Sequence, residues 1–384
     1  MSIKQTDERY IAHTYKRFDI AIVKGKGCLC RDDNGKEYID MTSGIGVNAF
    51  GYSDPVWAEA VANQAKLLQH TSNLYYTAPC AELAEILCTR TGMSKVFFSN
   101  SGAEANECAV KVARKYAAEH KGEEYYNIIT LNKSFHGRTL TTLAATGQDN
   151  FHHDFLPLTE GFLYAEPNDI EGLQQLVKEN KVAGILIETV QGEGGVNALD
   201  ADFVKAVERI CKEHDIVFMV DEVQTGNGRT GKLYSYMNFG VQPDVVSTAK
   251  GLAAGLPMGA TLMSEKVSEV LGYGDHGSTF GGNPVCAAAA ISVMNRMDDA
   301  FLADVAAKGQ YVKERIEAAG FAVSGMGLMI GIETKKPVSE VIAACMANGV
   351  LCLSAKEKLR LLPPLNIPME QLTKAVDVII EALQ

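Results

Sequence analysis

Between Lys95 and Met263 the chain passes repeatedly through short stretches that are apolar throughout, separated by helix-length segments. The stretches are Val96-Phe97-Phe98, Asn127 to Leu131, Val182 to Ile187, Ile216 to Val220, Val245-Val246 and Ala260 to Met263. A strand wet on one face alternates polar and apolar side chains, whereas one without that alternation is covered on both faces. The pattern predicts an α/β fold with a mostly parallel sheet flanked by helices on each side. A large domain over residues 50–290 is expected to carry it. Short strands at Gly327 to Ile332, Val350 to Leu353 and Leu359 to Leu362 interleave with helices near Ser339 to Ala347 and Met369 to Leu383. They predict a smaller α/β domain over 291–384. Residues 1–49, where Asp33-Asn34-Gly35 marks a hairpin between two strand-like runs, are expected to pack on that smaller domain.

Two of the sheet runs end in groups that belong together chemically. Asp221 follows Ile216 to Val220, and Lys250 follows Asp244 to Ser247, 29 residues further on. A lysine amine can hold the aldehyde of pyridoxal phosphate as a Schiff base, and a carboxylate can keep the cofactor's ring nitrogen protonated so that the ring draws electrons. Either residue alone is commonplace at a strand end. The pair points to amino-acid chemistry.

Other strand ends add to the set. Ser99-Asn100-Ser101-Gly102-Ala103-Glu104 follows Val96-Phe97-Phe98 and opens a helix, leaving backbone N–H groups and the positive end of a helix dipole free for a phosphate. Such residues also favour an ordinary capped helix start. Phe135-His136-Gly137-Arg138 offers an aromatic ring to stack on a flat heterocycle and an arginine fork for a carboxylate. Glu188-Thr189-Val190-Gln191-Gly192-Glu193-Gly194-Gly195 offers glycines that let backbone approach a ligand.

Competing motifs are weaker. Gly226-Asn227-Gly228-Arg229-Thr230-Gly231-Lys232 nearly spells a nucleotide-binding P-loop, but Leu233 stands where the magnesium-ligating hydroxyl is needed. A P-loop nucleotide-binding protein is therefore the disfavoured alternative of another class. Gly44-Ile45-Gly46 lacks the strand–helix–strand unit of a dinucleotide fingerprint, and His152-His153 has no third metal ligand spaced with it. A net charge of −11 argues against nucleic-acid and anionic-membrane partners. Nine cysteines without a C-x-x-C pair read as reduced thiols, and the N-terminus lacks a signal peptide's apolar core, so a cytoplasmic protein is expected.

With Lys250, Asp221, Ser101-Gly102-Ala103 and Phe135-His136-Gly137-Arg138 in place, the chain resembles the class-III aminotransferases, pyridoxal-phosphate enzymes of fold type I, over nearly its whole length. Within that family Gly44-Ile45-Gly46-Val47-Asn48, Ser72-Asn73-Leu74-Tyr75-Tyr76, Gly192-Glu193-Gly194-Gly195 and His276 to Pro284 look most like the enzymes that act on N-acetylornithine in arginine biosynthesis. The resemblance implies that Lys250 binds the cofactor covalently, Asp221 pairs with its ring nitrogen and Gln224 with its phenolic oxygen. It also implies that Val223 packs under the ring and Phe135 over it, and that Ser101, Gly102 and Ala103 hold the phosphate with Thr279 of a second subunit. A homodimer with shared sites follows. Many relatives carry Thr where this chain has Ala103; the backbone amide remains.

By the same resemblance the substrates are small molecules, N-acetylornithine and 2-oxoglutarate or glutamate, bound by Arg138, Arg360, Glu193 and Ser278. Arg138 suits the distal carboxylate of both. Arg360 would hold the near carboxylate of glutamate, and Glu193 would pair with Arg360 whenever that carboxylate is absent, because a bare guanidinium beside an apolar chain is unfavourable. Ornithine, succinylornithine, N-succinyl-diaminopimelate and 4-aminobutyrate remain alternative donors at this stage, and no metal is expected.

Overall fold

The computed structural model describes residues 1–384. Its largest sheet has seven strands, in the order Lys95–Ser99, Gly259–Met263, Val245–Thr248, Val217–Asp221, Val182–Ile187, Asn127–Leu131 and Phe162–Ala165. All run one way except Gly259–Met263, which is antiparallel to both neighbours. Every residue of Val182–Ile187 and Val217–Asp221 is buried. Alternate side chains of the central strand divide between two layers, as a strand's two-residue period requires. Val217 and Met219 pack with Ala109, Val112 and Ala113 of helix Gly102–His120, while Phe218 and Val220 pack with Phe203, Val207 and Ile210 of helix Ala201–His214. The expected α/β architecture, a mostly parallel sheet between helical layers, is what the chain adopts.

Two four-stranded sheets stand apart from the large one. Ile22–Lys26, Leu29–Asp32 and Glu37–Asp40 form an antiparallel meander that Val350–Leu351 extends in parallel. Val323–Met326, Met329–Ile332, Lys358–Leu361 and Leu353–Ala355 form the other. The single strand expected at Val350 to Leu353 divides at Cys352: Val350 pairs with Ile39, whereas Leu353 pairs with Arg360. An apolar run looks the same whether or not the chain changes sheets within it. Ile22–Lys26, Phe162–Ala165 and Val323–Met326 escaped the sequence reading; each lies at a sheet edge and is only partly covered. No helix is long and apolar enough to cross a membrane.

The C-terminal sheet is locked to the loop after Val217–Asp221 by a close stack of backbone. Gly327, in the turn before Met329–Ile332, sits at φ +56, and a Cβ there would come within 2.6 Å of the Arg229 carbonyl oxygen. On its other side Gly309, inside helix Asp299–Ala318, approaches so near that a Cβ on it would overlap the Gly327 carbonyl. The Arg229 side chain, fully buried, donates to the carbonyls of Leu328 and Pro363 and to Ser43 Oγ. Helix propensity alone favours alanine over glycine by about 1 kcal/mol, yet Gly309→Ala is expected to destabilise the protein by about 1–3 kcal/mol because rigid backbone must give way. A urea unfolding midpoint at or above that of the parent would disprove the close stack.

Candidate active site

The C-terminal ends of Val217–Asp221 and Val245–Thr248 lie side by side, with Asp221 level with Ser247, and a cavity of about 380 Å³ opens there. Its wall takes in Ser101, Gly102, Ala103, Phe135, Glu193, Asp221, Val223, Gln224 and Lys250. Residues from distant parts of the sequence meet here because parallel strands all deliver their ends to the same edge of the sheet.

Lys250 stands two residues beyond its strand with φ +45, in the left-handed region, which is strained for a residue with a side chain by roughly 1–2 kcal/mol. Asn227 holds the segment: its Nδ2 donates to Thr248 Oγ1 and to the Ala249 carbonyl, both at 3.0 Å. Burial pulls the Lys250 amine below the usual lysine range; Glu193 opposes the shift and Arg360 adds to it. An amine desolvated in this way spends more time unprotonated near neutral pH, and is then free to act as nucleophile and proton acceptor.

Asp221 is gripped from three directions. Its Oδ2 accepts from Asn106 Nδ2 at 2.7 Å and from His136 Nδ1 at 2.8 Å, and its Oδ1 accepts from the Val223 N–H at 2.9 Å. Since a carboxylate only accepts, His136 carries its hydrogen on Nδ1, which leaves Nε2 buried without a partner. Asn106 lies one turn into helix Gly102–His120, and its Oδ1 accepts from Ser247 Oγ. The sequence reading gave neither Asn106 nor His136 a role; for Asn106, a polar residue on the otherwise apolar covered face of its helix was the available signal.

At the start of that helix, Ser101 Oγ caps the Glu104 N–H. The N–H groups of Gly102 and Ala103, in the first turn, have no intrahelical acceptor, and both residues line the cavity. Gly102 packs against Val223, where a Cβ would come within 2.6 Å of Val223 Cγ1. An anion at this spot would meet open donors and the positive helix end.

Arg360, on strand Lys358–Leu361, reaches the same region from the C-terminal sheet. It is 4% exposed, and its Nη1 donates to Glu193 Oε1 at 2.5 Å while its Nε has no partner. Gln224 spans the pair, donating from Nε2 to Glu193 Oε1 and accepting at Oε1 from Arg360, each at 3.4 Å. Burial would raise the Glu193 pKa, but Arg360, with Lys250 and Gln224 behind it, holds the carboxyl below its ordinary value.

The remaining expected residues lie outside the wall. Arg138 is exposed beside Phe135, its guanidinium 4.2 Å from the centre of the Phe151 ring and 5.4 Å from that of Phe135. Ser278 Oγ accepts from Asn100, a wall residue, and Thr279 beside it is exposed. Gly226 to Lys232 opens no helix, and Arg229 within it is turned into the protein, where burial lowers its pKa to about 9. That segment is no phosphate cradle. His152 Nε2 is engaged by the carbonyls of Leu143 and Thr146.

Residues 10–383 match the family model described as aminotransferase class-III. The chain is 50% identical to the acetylornithine aminotransferase of Haemophilus ducreyi, over 99% of this chain and 98% of that protein. It is 44% identical to the acetylornithine aminotransferase of Aquifex aeolicus, over 97% of this chain and 100% of that one. Among solved structures, the ornithine aminotransferase of Toxoplasma gondii superposes with a TM-score of 0.95 at 30% identity, covering 99% of this chain and 94% of that one. The acetylornithine aminotransferase of Elizabethkingia anophelis gives 0.88 at 31%, covering 99% and 97%.

Behind the site, Glu222 is buried and accepts from Thr225 Oγ1 and the Tyr236 N–H; burial pushes its carboxyl up to about 7. A carboxyl whose folded pKa exceeds its unfolded value of about 4.3 stabilises the fold fully below that value and loses its contribution as pH rises through 7. The associated slope is about 1.4 kcal/mol per pH unit between about pH 4.5 and 7. Glu222→Gln, which keeps an oxygen for Tyr236 and a polar group for Thr225, should flatten the stability profile in that window by up to this amount. Urea unfolding at pH 5, 6, 7 and 8 tests it, and identical slopes for parent and variant would refute the assignment.

Proposed function

The chain belongs to the class-III aminotransferases, and from that premise we propose that it transfers the terminal amino group of N-acetylornithine to 2-oxoglutarate. The products are N-acetylglutamate semialdehyde and glutamate, the step falls within arginine biosynthesis, and we assign it to the cytoplasm. The observation that carries the reaction class is the meeting of Lys250 and Asp221 at adjacent strand ends on one cavity. The curated relatives at 43–50% identity, acetylornithine aminotransferases, support the donor.

The family implies pyridoxal 5′-phosphate, and the residues present fit it. Val223 and Phe135 both wall the cavity and would flank a flat ring, Asp221 would pair with its nitrogen, and Gln224 with its phenolic oxygen. Ser101, Gly102 and Ala103 offer the phosphate a helix start, with Thr279 of a second subunit completing the cup. Lys250 would anchor the group covalently. When bound, the cofactor supplies an electron-withdrawing ring that acidifies the substrate's amine-bearing carbon and stores the amino group between half-reactions.

The chain's own residues do the rest. Lys250 Nζ, desolvated, takes the proton from the substrate's amine-bearing carbon and returns it as acid, so one group serves in both directions. Arg138 binds the carboxylate far from the reacting amine in either substrate. Arg360 binds the carboxylate next to the amine of glutamate; with N-acetylornithine, which has none there, Glu193 keeps Arg360 paired, as it is in the structure. Ser278 completes the substrate contacts. Leu74, Tyr75, Tyr76 and Phe280 expose large apolar surfaces beside the Thr279 loop, and this face supports pairing with a second copy.

Arg360→Ala is expected to slow the glutamate half-reaction about a hundredfold, since the substrate carboxylate loses its charged partner, while the N-acetylornithine half-reaction falls by less than about tenfold. Arg138→Ala should impair both, and equal losses for Arg360→Ala in single-turnover absorbance measurements would defeat the gating role. The reading as a whole is tested by incubating purified protein with pyridoxal phosphate and titrating the visible band. Bleaching at low N-acetylornithine and only at high ornithine supports the donor, the reverse order makes ornithine the donor, and absence of any band, in parent as in Lys250→Ala, overturns the cofactor assignment.

A further inference from the structure

Glu188, immediately beyond strand Val182–Ile187, is buried and walls the cavity, and the reaction as described gives it no task. Its two oxygens reach two different loops. Oε1 accepts from the Phe135 N–H at 2.8 Å, and Oε2 accepts from the Gly192 N–H at 3.3 Å. One of these residues carries the ring that walls the cavity. The other directly precedes Glu193.

Gly192 is the point from which Glu193 departs toward Arg360, and it has little room. A Cβ on it would overlap Gln224 Oε1 and come within 2.9 Å of Met329 Cε. The turn is thus crowded by Gln224 and Met329 and tethered by Glu188. Its side-chain tether also depends on charge: a carboxylate can accept on both oxygens, whereas an amide can accept on only one. The titratable groups facing Glu188 are His136, Asp221 and Lys250; burial raises its carboxyl, His136 opposes that and Asp221 adds to it.

We propose that Glu188 is a positioning residue that ties the Gly192–Glu193 turn to the Phe135 loop, and thereby sets how firmly Glu193 covers Arg360 and which substrate the pocket prefers. This rests on the aminotransferase reading above. Glu188 touches neither reacting atom; it acts through Glu193 on one side and Phe135 on the other.

The test uses holoenzyme carrying Glu188→Gln, with Glu188→Asp as second variant. In Glu188→Gln the amide oxygen keeps the shorter bond to Phe135, and the NH₂ group meets the Gly192 N–H donor to donor. Glu193 is then loosened and Arg360 stays uncovered. The N-acetylornithine half-reaction should weaken by about tenfold, the worth of one charged hydrogen bond, mostly as a raised KM, while the glutamate half-reaction changes by less than about threefold. Glu188→Asp keeps both acceptors on a shorter stem, so it should shift the ratio the same way but less; if the glutamine variant does not fold, this variant decides.

A second readout is independent of turnover. The carboxylate of Glu188 favours positive charge at Lys250, as do Glu193 and Asp221, while Arg360 opposes it. Neutralising Glu188 should therefore lower the pH midpoint of the visible band of protein loaded with pyridoxal phosphate. Equal losses in both half-reactions with an unmoved midpoint overturn the inference, since a purely structural residue would give that result. A missing visible band in the parent protein would instead overturn the aminotransferase reading, so the two failures are distinguishable.

Discussion

Everything in the site is referenced to the Asp221 carboxylate. Three donors fix it: an asparagine from the first turns of helix Gly102–His120, a histidine from the loop after Asn127–Leu131, and the backbone of its own turn. A buried carboxylate without partners would be several kcal/mol unfavourable, so the fold cannot leave any of the three out of place. The same contacts bring the open end of the helix, the Phe135 loop and the Lys250 strand end around one cavity. Geometry that looks designed for a ligand is, at the level of forces, a solution to burying one charge.

Several other ionisable groups are buried or partly buried in the protein, each handled differently. Glu193 and Arg360 neutralise each other directly. Glu188 is held by backbone N–H groups. Glu222 is pushed toward its neutral form, and Arg229 is surrounded by carbonyls and a hydroxyl in place of a carboxylate. Only the Glu193 and Arg360 pair can be broken without leaving a bare charge, provided an incoming carboxylate takes the vacated place. The unpartnered Arg360 Nε is ready for such a newcomer. That asymmetry is why substrate discrimination is assigned to this pair.

Much of this was readable from the sequence, for physical reasons that differ by residue. Continuous apolar runs announced strands covered on both faces, and the strand ends marked Asp221 and Lys250, because the end of a parallel strand is a fixed place in space. Arg360 and Glu193 could be brought together only through resemblance, since no periodicity relates residues 167 positions apart. Asn106, His136 and Glu188 were missed because their work is done on other residues. A residue that holds another in place leaves no motif of its own. The break at Cys352 was missed because apolar patterning records burial and is blind to which ladder a residue joins.

The Arg229 stitch has a mechanical meaning. Arg360 rides on the C-terminal sheet, while Glu193 and Lys250 belong to loops of the large one, so any rotation between the two would carry the guanidinium past its partner. Arg229 pins that rotation at a point, through dipoles of Leu328, Pro363 and Ser43 on segments flanking the small sheets. Its pKa, lowered to about 9, still lies above the range in which Glu222 titrates. The pin therefore keeps its charge while the carboxyl behind the site changes state, and the two sheets hold register like leaves on a hinge whose pivot does not corrode.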